Sequence, residues 1–486
     1  MLKNCKQMKI SLYRDLYDLI IPQNNLLRKI KESIDFSFIN PILKESYSEH
    51  YGRPAKEPEM MFKLLFLKKV YDLSDERLVN NARVNMAYKY FLNLDPEDEM
   101  INSSLLTKFR KTRITEDILE ELLRETIKQA IEKGLVKSTS IIVDSTHTKA
   151  NAIGESPIKV LRKMTKQLRK KIYCEYYELS AKFPEKPEET EDITAEIAYS
   201  KQLVNNIKEE IINSNNVRLI NMLGEIQHVL EDENIRKIGS KADYDARFGF
   251  KSRTNSFFGY KTHIAMTQER LISGIRVTSG EAADNKSLEK IAEQSKSSGL
   301  EIKEIIGDTA YSAMDNIKYC NHNNIKLISS LNPVISNAAE TKDDGFVYNK
   351  DAKTMQCPAG HLAVNFRKTK GRYNNIVHTY HFSKAKCKAC TLLEQCKVGQ
   401  SKTKTRSITI TSDIHKAQLE FEHSPYFKER MLVRYRIEAK NSELKNTHGL
   451  EKCDSTGITA MRLQSYLTAV VVNVKRIIKL EELAYS

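Results

Sequence analysis

The sequence has no long uncharged apolar segment. No stretch reaches the roughly 18 apolar residues that a membrane-spanning helix needs, and the most apolar one, residues 466–478, contains an asparagine, a lysine and an arginine. The first ten residues also have no apolar core of the length found in signal peptides. We therefore expect a protein that does not cross a membrane, is not exported and is cytoplasmic.

Acidic residues are fewer than basic ones. The 486 residues include 63 Asp and Glu against 78 Lys and Arg, which gives a net charge of +15. With 40% hydrophobic and 29% charged residues, the chain can bury one large core or several smaller ones. An excess of positive charge favours an anionic polymer such as DNA or RNA as partner. Many basic proteins bind no nucleic acid, so charge alone leaves this question open.

Cysteine is scarce outside one segment, which holds Cys357, Cys387, Cys390 and Cys396. In a chain without an export signal, clustered cysteines indicate a metal site rather than disulfides. The two-residue spacing of the middle pair lets both thiolates face one ion from a tight turn. Four thiolates would complete a closed, structural Zn²⁺ site, with His361 as a reserve ligand. The alternative is four reduced cysteines that bind nothing.

The N-terminal part, residues 1–115, reads as a series of helices. Residues 57–73 have the helical period, Ser74 suits the N-cap of a second helix, and a basic third helix begins near Ser103 or Ser104. Three short helices that end in a basic one predict a DNA-binding domain. A helical bundle whose basic face is only solvated is the alternative.

Two segments interrupt the rest of the chain. Residues 156–235 predict an inserted helical hairpin, a spacer or dimer arm without chemistry of its own. Residues 336–405 hold the clustered cysteines among short alternating stretches, which predict a small zinc-ribbon-like β insertion. The remaining parts are expected to form one core: residues 116–155, 236–335 and 406–486.

Within this core, two apolar strands each end on a carboxylate, Asp144 and Asp308. Between them lie a hairpin over residues 257–280 and then a helix for which Asp284 or Asn285 would be the N-cap. Without the helical insertion, this is the element order of the RNase H-like fold, a mixed α/β fold whose first and fourth strands are parallel neighbours. The two aspartates would then meet at one end of the sheet.

Adjacent carboxylates repel each other unless a cation lies between them. A pair of divalent ions about 4 Å apart is the usual solution in phosphoryl-transfer sites, and Mg²⁺ prefers oxygen ligands of this kind. A third carboxylate would hold the second ion. Glu438 is the candidate, because on a helix it would share one face with Arg434 and Lys445. For an isolated helix, a surface salt-bridge stripe is the alternative.

The spacing of these three residues matches a known signature. Arg434, Glu438 and Lys445 resemble the pattern of bacterial insertion-sequence DDE transposases, which reads Tyr, two residues, Arg, three residues, Glu, six residues and Lys. The position of the signature tyrosine is Met431, and Tyr435 is out of register. We therefore do not expect this chain to make the phosphate contact that the family's tyrosine would make.

Other blocks resemble the same family in the same order, which makes the resemblance specific. Two blocks look like the family's N-terminal domain, GRPAKEPEMMFKLLFLKKVYDLSDERL and NSSLLTKFRK. Three look like its catalytic core, VDSTHTKANA, DYDARFGFKSRTNSFFGYKTHIAMT and GDTAYSAMDN.

The resemblance implies that Asp144, Asp308 and Glu438 are a DDE triad that binds two Mg²⁺ or Mn²⁺ ions on an RNase H-like core. It implies a transposase that binds the terminal inverted repeats of its element, hydrolyses phosphodiester bonds and joins the freed 3′-hydroxyl to target DNA. A homodimer on double-stranded DNA, associated with the nucleoid, is the expected active form. The alternatives are a nuclease that cuts without joining and an inactive, transposase-derived DNA-binding protein.

Basic residues around these blocks are predicted to hold DNA phosphates. The predicted DNA contacts are Arg434, Lys445, Arg247, Lys251, Arg253 and Lys261. Among the interleaved aromatic residues, Phe257 and Tyr260 are predicted to pack in the core. His147 could ligate a metal beside Asp144, but a histidine would favour Zn²⁺ or Mn²⁺ over Mg²⁺. The family pattern does not require it, so we expect His147 outside the ligand set.

Overall fold

The computed structural model describes residues 11–48, 54–187, 192–251, 254–333, 345–349, 352–370, 376–410 and 412–485. Arg253, one of the predicted DNA contacts, lies outside the described residues. Within them the chain is mixed α/β, with a helical N-terminal region and a curled sheet. None of the helices in these ranges is both long and apolar enough to span a bilayer.

The N-terminal region consists of short helices around one buried helix. These helices are α1 (Leu16–Ile20), α2 (Leu26–Ser33), α3 (Ile39–Lys44), α4 (Pro58–Val70), α5 (Asp75–Val84), α6 (Met86–Phe91) and α7 (Ser104–Arg113). Helix α4 is apolar on almost every side and lies at the centre. Ser74 caps α5 as predicted. The predicted second helix is in fact two, because the Asn85 side chain accepts a hydrogen bond from the Tyr88 amide and starts α6.

The main sheet combines strands from distant parts of the chain. They are β1 (Ser140–Lys149), β2 (Arg247–Phe250), β3 (Ser256–Thr267), β4 (Ile272–Ser279), β5 (Glu304–Ile306) and β6 (Lys326–Ile328). The order is β4-β3-β1-β5-β6, and β2 pairs with the first residues of β3. Strand β1 is antiparallel to β3 and parallel to β5, with Ile142 opposite Ile306. The predicted pairing of the first and fourth core strands is therefore present.

A long C-terminal helix joins this sheet to the N-terminal helices. The helices on the sheet are α8 (Glu116–Glu132), α12 (Leu288–Ser297), α13 (Met314–His322) and, at the C-terminal end, Ile458–Tyr485. Gly134, with φ of 67°, follows α8 at its predicted end. Asn473, which interrupts the apolar run of the last helix, bonds both the amide (2.7 Å) and the carbonyl (2.8 Å) of Ile272. This polar residue thereby satisfies backbone groups of β4. The N-terminal helices, the sheet and the last helix share one continuous apolar core.

The insertion between β1 and β2 has a core of its own. It contains three long helices, α9 (Pro157–Glu175), α10 (Ile193–Asn213) and α11 (Val217–Glu231), where a hairpin was predicted. The extra break arises because Asn216 caps α11 by accepting from the Leu219 amide. Gly154 and Gly239 mark the junction with the sheet, since a Cβ at either would lie within 2.6 Å of the Phe258 ring.

The cysteine-bearing region is small and rich in β-structure. Its elements are β7 (Val347–Asn349), β8 (Thr354–Gln356), β9 (Asn365–Lys370), β10 (Ile376–His381), α14 (Lys384–Lys388), α15 (Lys397–Gln400) and β11 (Thr405–Ile410). Strands β9, β10 and β11 form one sheet, and β7 pairs with β8. Only Met355, Tyr380 and Phe382 form its buried core within the described residues. The chain then returns to the main sheet through α16 (Asp413–Glu422), α17 (Pro425–Met431) and α18 (Tyr435–Asn446).

Candidate active site

Two predicted carboxylates lie at corresponding positions on neighbouring strands. Asp144 follows Ile142 by two residues on β1, and Asp308 follows Ile306 by two residues just beyond β5. Gly307 allows this approach, because a Cβ there would lie 2.9 Å from the side chain of Val143. Because β1 and β5 are parallel, both aspartates emerge at the same end of the sheet.

Burial makes the charged form of both aspartates unfavourable. Burial is the main reason why the pKa of Asp144 is raised to about 6; the charge of Asp308 also raises it, and a hydrogen bond from the Ser145 amide lowers it. Burial also raises the pKa of Asp308, while its hydrogen bond from the Ala310 amide lowers it. The Arg434 guanidinium lowers both pKa values, but it does not cancel the effect of burial. The positive charge near the pair is therefore too small to offset the burial of the two carboxylates.

An asparagine that the sequence did not single out completes this polar group. Asn441, on α18, donates from Nδ2 to Asp144 Oδ2 at 2.9 Å. Its Oδ1 is buried and has no hydrogen-bond partner among the described residues. A buried acceptor without a donor is destabilising, so this oxygen is a candidate to face a cation. The signal in the sequence is its position, one helical turn beyond Glu438.

Glu438 lies apart from the two aspartates. Its side chain is 62% exposed, and its Oε1 accepts from Arg434 Nη1 at 2.7 Å. Throughout the described ranges, no three His, Cys, Asp or Glu side chains are grouped so that they could hold a metal ion. The structure thus brings Asp144 and Asp308 together, and Arg434, which pairs with Glu438, also lowers the pKa of both aspartates.

A different carboxylate, Asp284, lies near the pair. Its charge raises the pKa of both Asp144 and Asp308. It pairs with Lys261 at 3.0 Å, and Lys261 also donates to the Ala282 carbonyl at 2.9 Å. The prediction that Asp284 or Asn285 caps α12 is wrong, because a 3₁₀ turn (Asp284–Ser287) precedes the helix and Ser287 is its N-cap.

Positive charges gather around His147, three residues beyond Asp144. The pKa of His147 is lowered to about 4, mainly by burial and also by neighbouring positive charges, of which Lys445 and Lys251 have the largest effects. Lys445 Nζ lies 3.5 Å from His147 Nε2, and the imidazole rests against the Phe257 ring. Two of the predicted DNA contacts, Lys445 and Lys251, therefore lie near each other at His147.

Two other predicted DNA contacts already bind acceptor groups of the protein itself. Lys261 is held by Asp284, as described above. Arg247 is buried, donates to the carbonyls of Tyr244 and Ala246, and pairs with Asp232 at 3.4 Å. The predicted packing role of the two aromatic residues is confirmed, since Phe257 and Tyr260 are both buried.

The four clustered cysteines line one cavity. Cys357, Cys387, Cys390 and Cys396 surround it together with His361, and none of the four is in a disulfide. Burial raises the pKa of Cys387, and the charges of the other three thiols raise it further, which reflects their proximity. Their arrangement in the described residues is not one that coordinates a metal.

The raised pKa of Asp144 leads to a prediction for the metal-free protein. The pKa of Asp144 is about 6 in the folded protein and near 3.8 in the unfolded one. Its protonated form therefore stabilises the fold fully below pH 3.8, and this stabilisation is lost as the pH rises through about 6. Asp144→Asn should therefore raise the melting temperature at pH 7.5 in the presence of EDTA, and the gain should shrink at pH 5. Thermal unfolding of both proteins across this range is the measurement. A variant less stable than the wild type at pH 7.5 would contradict it.

Comparison with known proteins finds two family models along the chain. The first, described as "Transposase domain (DUF772)", matches residues 14–112, which include α1 to α6 and most of α7. The second, described as "Transposase DDE domain", matches residues 356–478, which include the cysteines, Glu438 and Asn441. Each match covers less than half of the chain, but the two descriptions agree.

A curated relative and the solved structures add little about function. An uncharacterized protein, ORF8 in the nfe locus of Rhizobium meliloti, is 31% identical over 108 residues, which are 21% of this chain and 50% of that relative. The chain thus spans about half the length of the relative that it matches. No solved structure matches the chain.

The two matches define a protein built from transposase domains, with a helical first domain and a DDE domain. The resemblance found in the sequence is confirmed, since both family models describe transposase domains and support an insertion-sequence DDE transposase.

Proposed function

We propose that the protein is a transposase that binds the terminal inverted repeats of its own element, cleaves DNA and joins the freed 3′-hydroxyl to target DNA. The observation that carries this proposal is the meeting of Asp144 and Asp308 on parallel neighbouring strands. The strand order β4-β3-β1-β5-β6, with β1 antiparallel to β3, supports an RNase H-like core as the scaffold of this site.

The residues of the site fit divalent cations such as Mg²⁺ or Mn²⁺. Asp144, Asp308 and the unpartnered Oδ1 of Asn441 offer oxygen ligands in a half-buried position where nearby positive charge does not offset the burial of the two carboxylates. Such ions activate a water or hydroxyl and stabilise the leaving oxygen. For Glu438 to join this set, its carboxylate would have to leave Arg434.

Three of the predicted basic residues are suited to hold DNA phosphates near the aspartates. Lys445 and Lys251 form the positive cluster at His147, and the charge of Arg434 lowers the pKa of both aspartates. Arg247 and Lys261 already have internal acceptors, so we assign them to the fold rather than to DNA. Guanidinium and ammonium groups at these positions would fix the scissile phosphate against the carboxylates.

The test uses purified protein, Mg²⁺, supercoiled plasmid and labelled DNA that carries the inverted repeats flanking the gene. Cleavage at the repeat end, followed by joined products, is the expected result. Cutting without joining would favour the nuclease alternative. Binding without cutting would favour the inactive DNA-binding alternative. The mass of the protein–DNA complex tests the proposed dimer.

Asn441 provides a prediction within this site. Asn441→Ala removes the hydrogen bond to Asp144 and the unpartnered oxygen. We expect cleavage about 10- to 100-fold slower, as for other groups that orient metal ligands, and a higher Mg²⁺ concentration for half-maximal rate. Asn446→Ala is the matched control, since Asn446 is exposed on the same helix and bonds only Ser442 within the described residues. Equal rates for the two variants would remove Asn441 from the site.

The cysteine region supports a second proposal. We propose that Cys357, Cys387, Cys390 and Cys396 draw closer together than they lie here to hold one structural Zn²⁺, because four thiols line one cavity in a region with a very small apolar core. Zinc would then stabilise the region rather than take part in cleavage.

A further inference from the structure

Positive charge is unevenly distributed within the helical insertion. Helix α9 has seven lysines and arginines and one glutamate. Helix α10 has two basic and three acidic residues, and α11 has one arginine and two glutamates. The three helices share one core, so their common fold does not account for this difference.

Four of these lysines form a stripe along the outside of α9. Lys159, Lys163, Lys166 and Lys170 are separated by four, three and four residues, which places them on one face of the helix. All four are exposed, whereas the opposite face of α9 is buried in the core of the insertion. Lys163 pairs with Glu155. Within the described part of the chain, the other three make no ion pair.

A cleft of about 590 Å³ between α9 and α11 extends this positive face. Lys170 and Lys171 line it from α9, Arg218 from α11 and Lys241 from the segment that follows. Lys171 is partly neutralised by Glu175, and Glu225 is the acidic residue among the lining groups. The stripe and the cleft meet at Lys170, so they form one continuous surface.

This surface is unfavourable for the isolated protein. Like charges three or four residues apart on a helix repel each other and destabilise it. Because the buried side of α9 already holds the insertion together, the lysines add nothing to its core. Their arrangement is instead complementary to a regular row of negative charges.

Duplex DNA has such a row of charges. Helix α9, with 19 residues, is roughly 28 Å long, the length of about eight base pairs of B-DNA. Flexible lysines suit a backbone contact that does not depend on base sequence. Strand β1 ends at Lys149, five residues and about 17 Å of extended strand beyond Asp144, and α9 begins at Pro157, eight residues further on. DNA that lies on this surface could therefore run on to the aspartates.

We propose that the stripe of α9 and the adjoining cleft bind the phosphate backbone of duplex DNA outside the point of cleavage. This inference rests on the proposed function, in which DNA is the substrate. The insertion then lengthens the DNA-binding surface and is more than a spacer.

The test compares K166Q/K170Q with K201Q/K208Q in the full-length protein. Each double variant removes two exposed lysines of the insertion, the first pair from α9 and the second from α10. Binding of a duplex of about 30 base pairs and arbitrary sequence is measured by fluorescence anisotropy between about 50 and 200 mM salt. Removing one lysine that neutralises a phosphate should make the slope of log K against log salt shallower by about 0.9. We expect a change of about 1.8 in this slope and weaker binding for K166Q/K170Q, and wild-type behaviour for K201Q/K208Q.

The outcomes separate this inference from the function on which it rests. If wild-type protein cuts DNA but K166Q/K170Q binds with an unchanged slope, the α9 surface does not bind DNA. The same conclusion follows if both double variants bind equally weakly, or if K166Q/K170Q changes only the oligomeric state in light scattering. If the wild type binds no DNA at all, the proposed function itself fails. Matching melting temperatures ensure that a shallower slope reports on the surface and not on folding.

Discussion

Asp308→Asn is expected to reduce DNA cleavage by about a thousandfold or more and to leave binding of the element's ends nearly unchanged. The substitution removes a negative charge from the half-buried pair that Asp144 and Asp308 form. Asparagine has the same size and keeps an oxygen at Oδ1, which accepts from the Ala310 amide at 3.0 Å. The turn after β5 should therefore persist, and the defect should lie in the binding of cations and in catalysis.

Asp315→Asn is the matched control for this substitution. Asp315 is exposed in the first turn of α13, seven residues beyond Asp308. This control variant should cut DNA like the wild type. Cleavage rates are measured with excess enzyme over labelled end DNA, and binding is measured in Ca²⁺ or EDTA. Asp308→Asn that retains more than about a tenth of the activity would place the catalytic site elsewhere.

The aspartate pair could be predicted because local pattern and topology agree. Each aspartate follows an apolar run that reads as a buried strand, and the element order brings the two strands together. Neither step depends on the insertion, which forms its own core and leaves β1 in place. The packing roles of Phe257 and Tyr260 followed from the general tendency of aromatic side chains to fill a core.

Contacts made by tertiary packing could not be predicted in this way. Asn441 meets Asp144 across 297 residues because α18 packs on β1, and no local pattern sets an asparagine apart from other polar residues of that helix. Asp284 was assigned to a helix cap because Asp is favoured there. In the structure, the ion pair with Lys261 holds its side chain instead. The prediction for Glu438 rests on its spacing from Arg434 and Lys445 and on the family resemblance, and it stays a prediction, with the side chain exposed and paired with Arg434.

Removal of the proposed zinc ion should unfold the cysteine region while the main core remains folded. The buried apolar core of this region, as described, is Met355, Tyr380 and Phe382, which is far less than a domain needs to fold alone. Binding of structural Zn²⁺ contributes on the order of 10 kcal/mol to such small units. We expect about one zinc per chain in the purified protein. Cys387→Ser with Cys390→Ser should abolish it, and amide hydrogens of β10 should then exchange rapidly.

Cys174→Ser is the control that separates the site from general thiol effects. Cys174 is exposed on α9 and lies in a different structural unit. Its substitution should leave both the zinc content and the protection of β10 unchanged. Zinc is measured by plasma mass spectrometry and local stability by hydrogen exchange. If the double variant keeps the protection of β10, the region is stabilised without a metal, and the four cysteines are simply reduced thiols around a cavity.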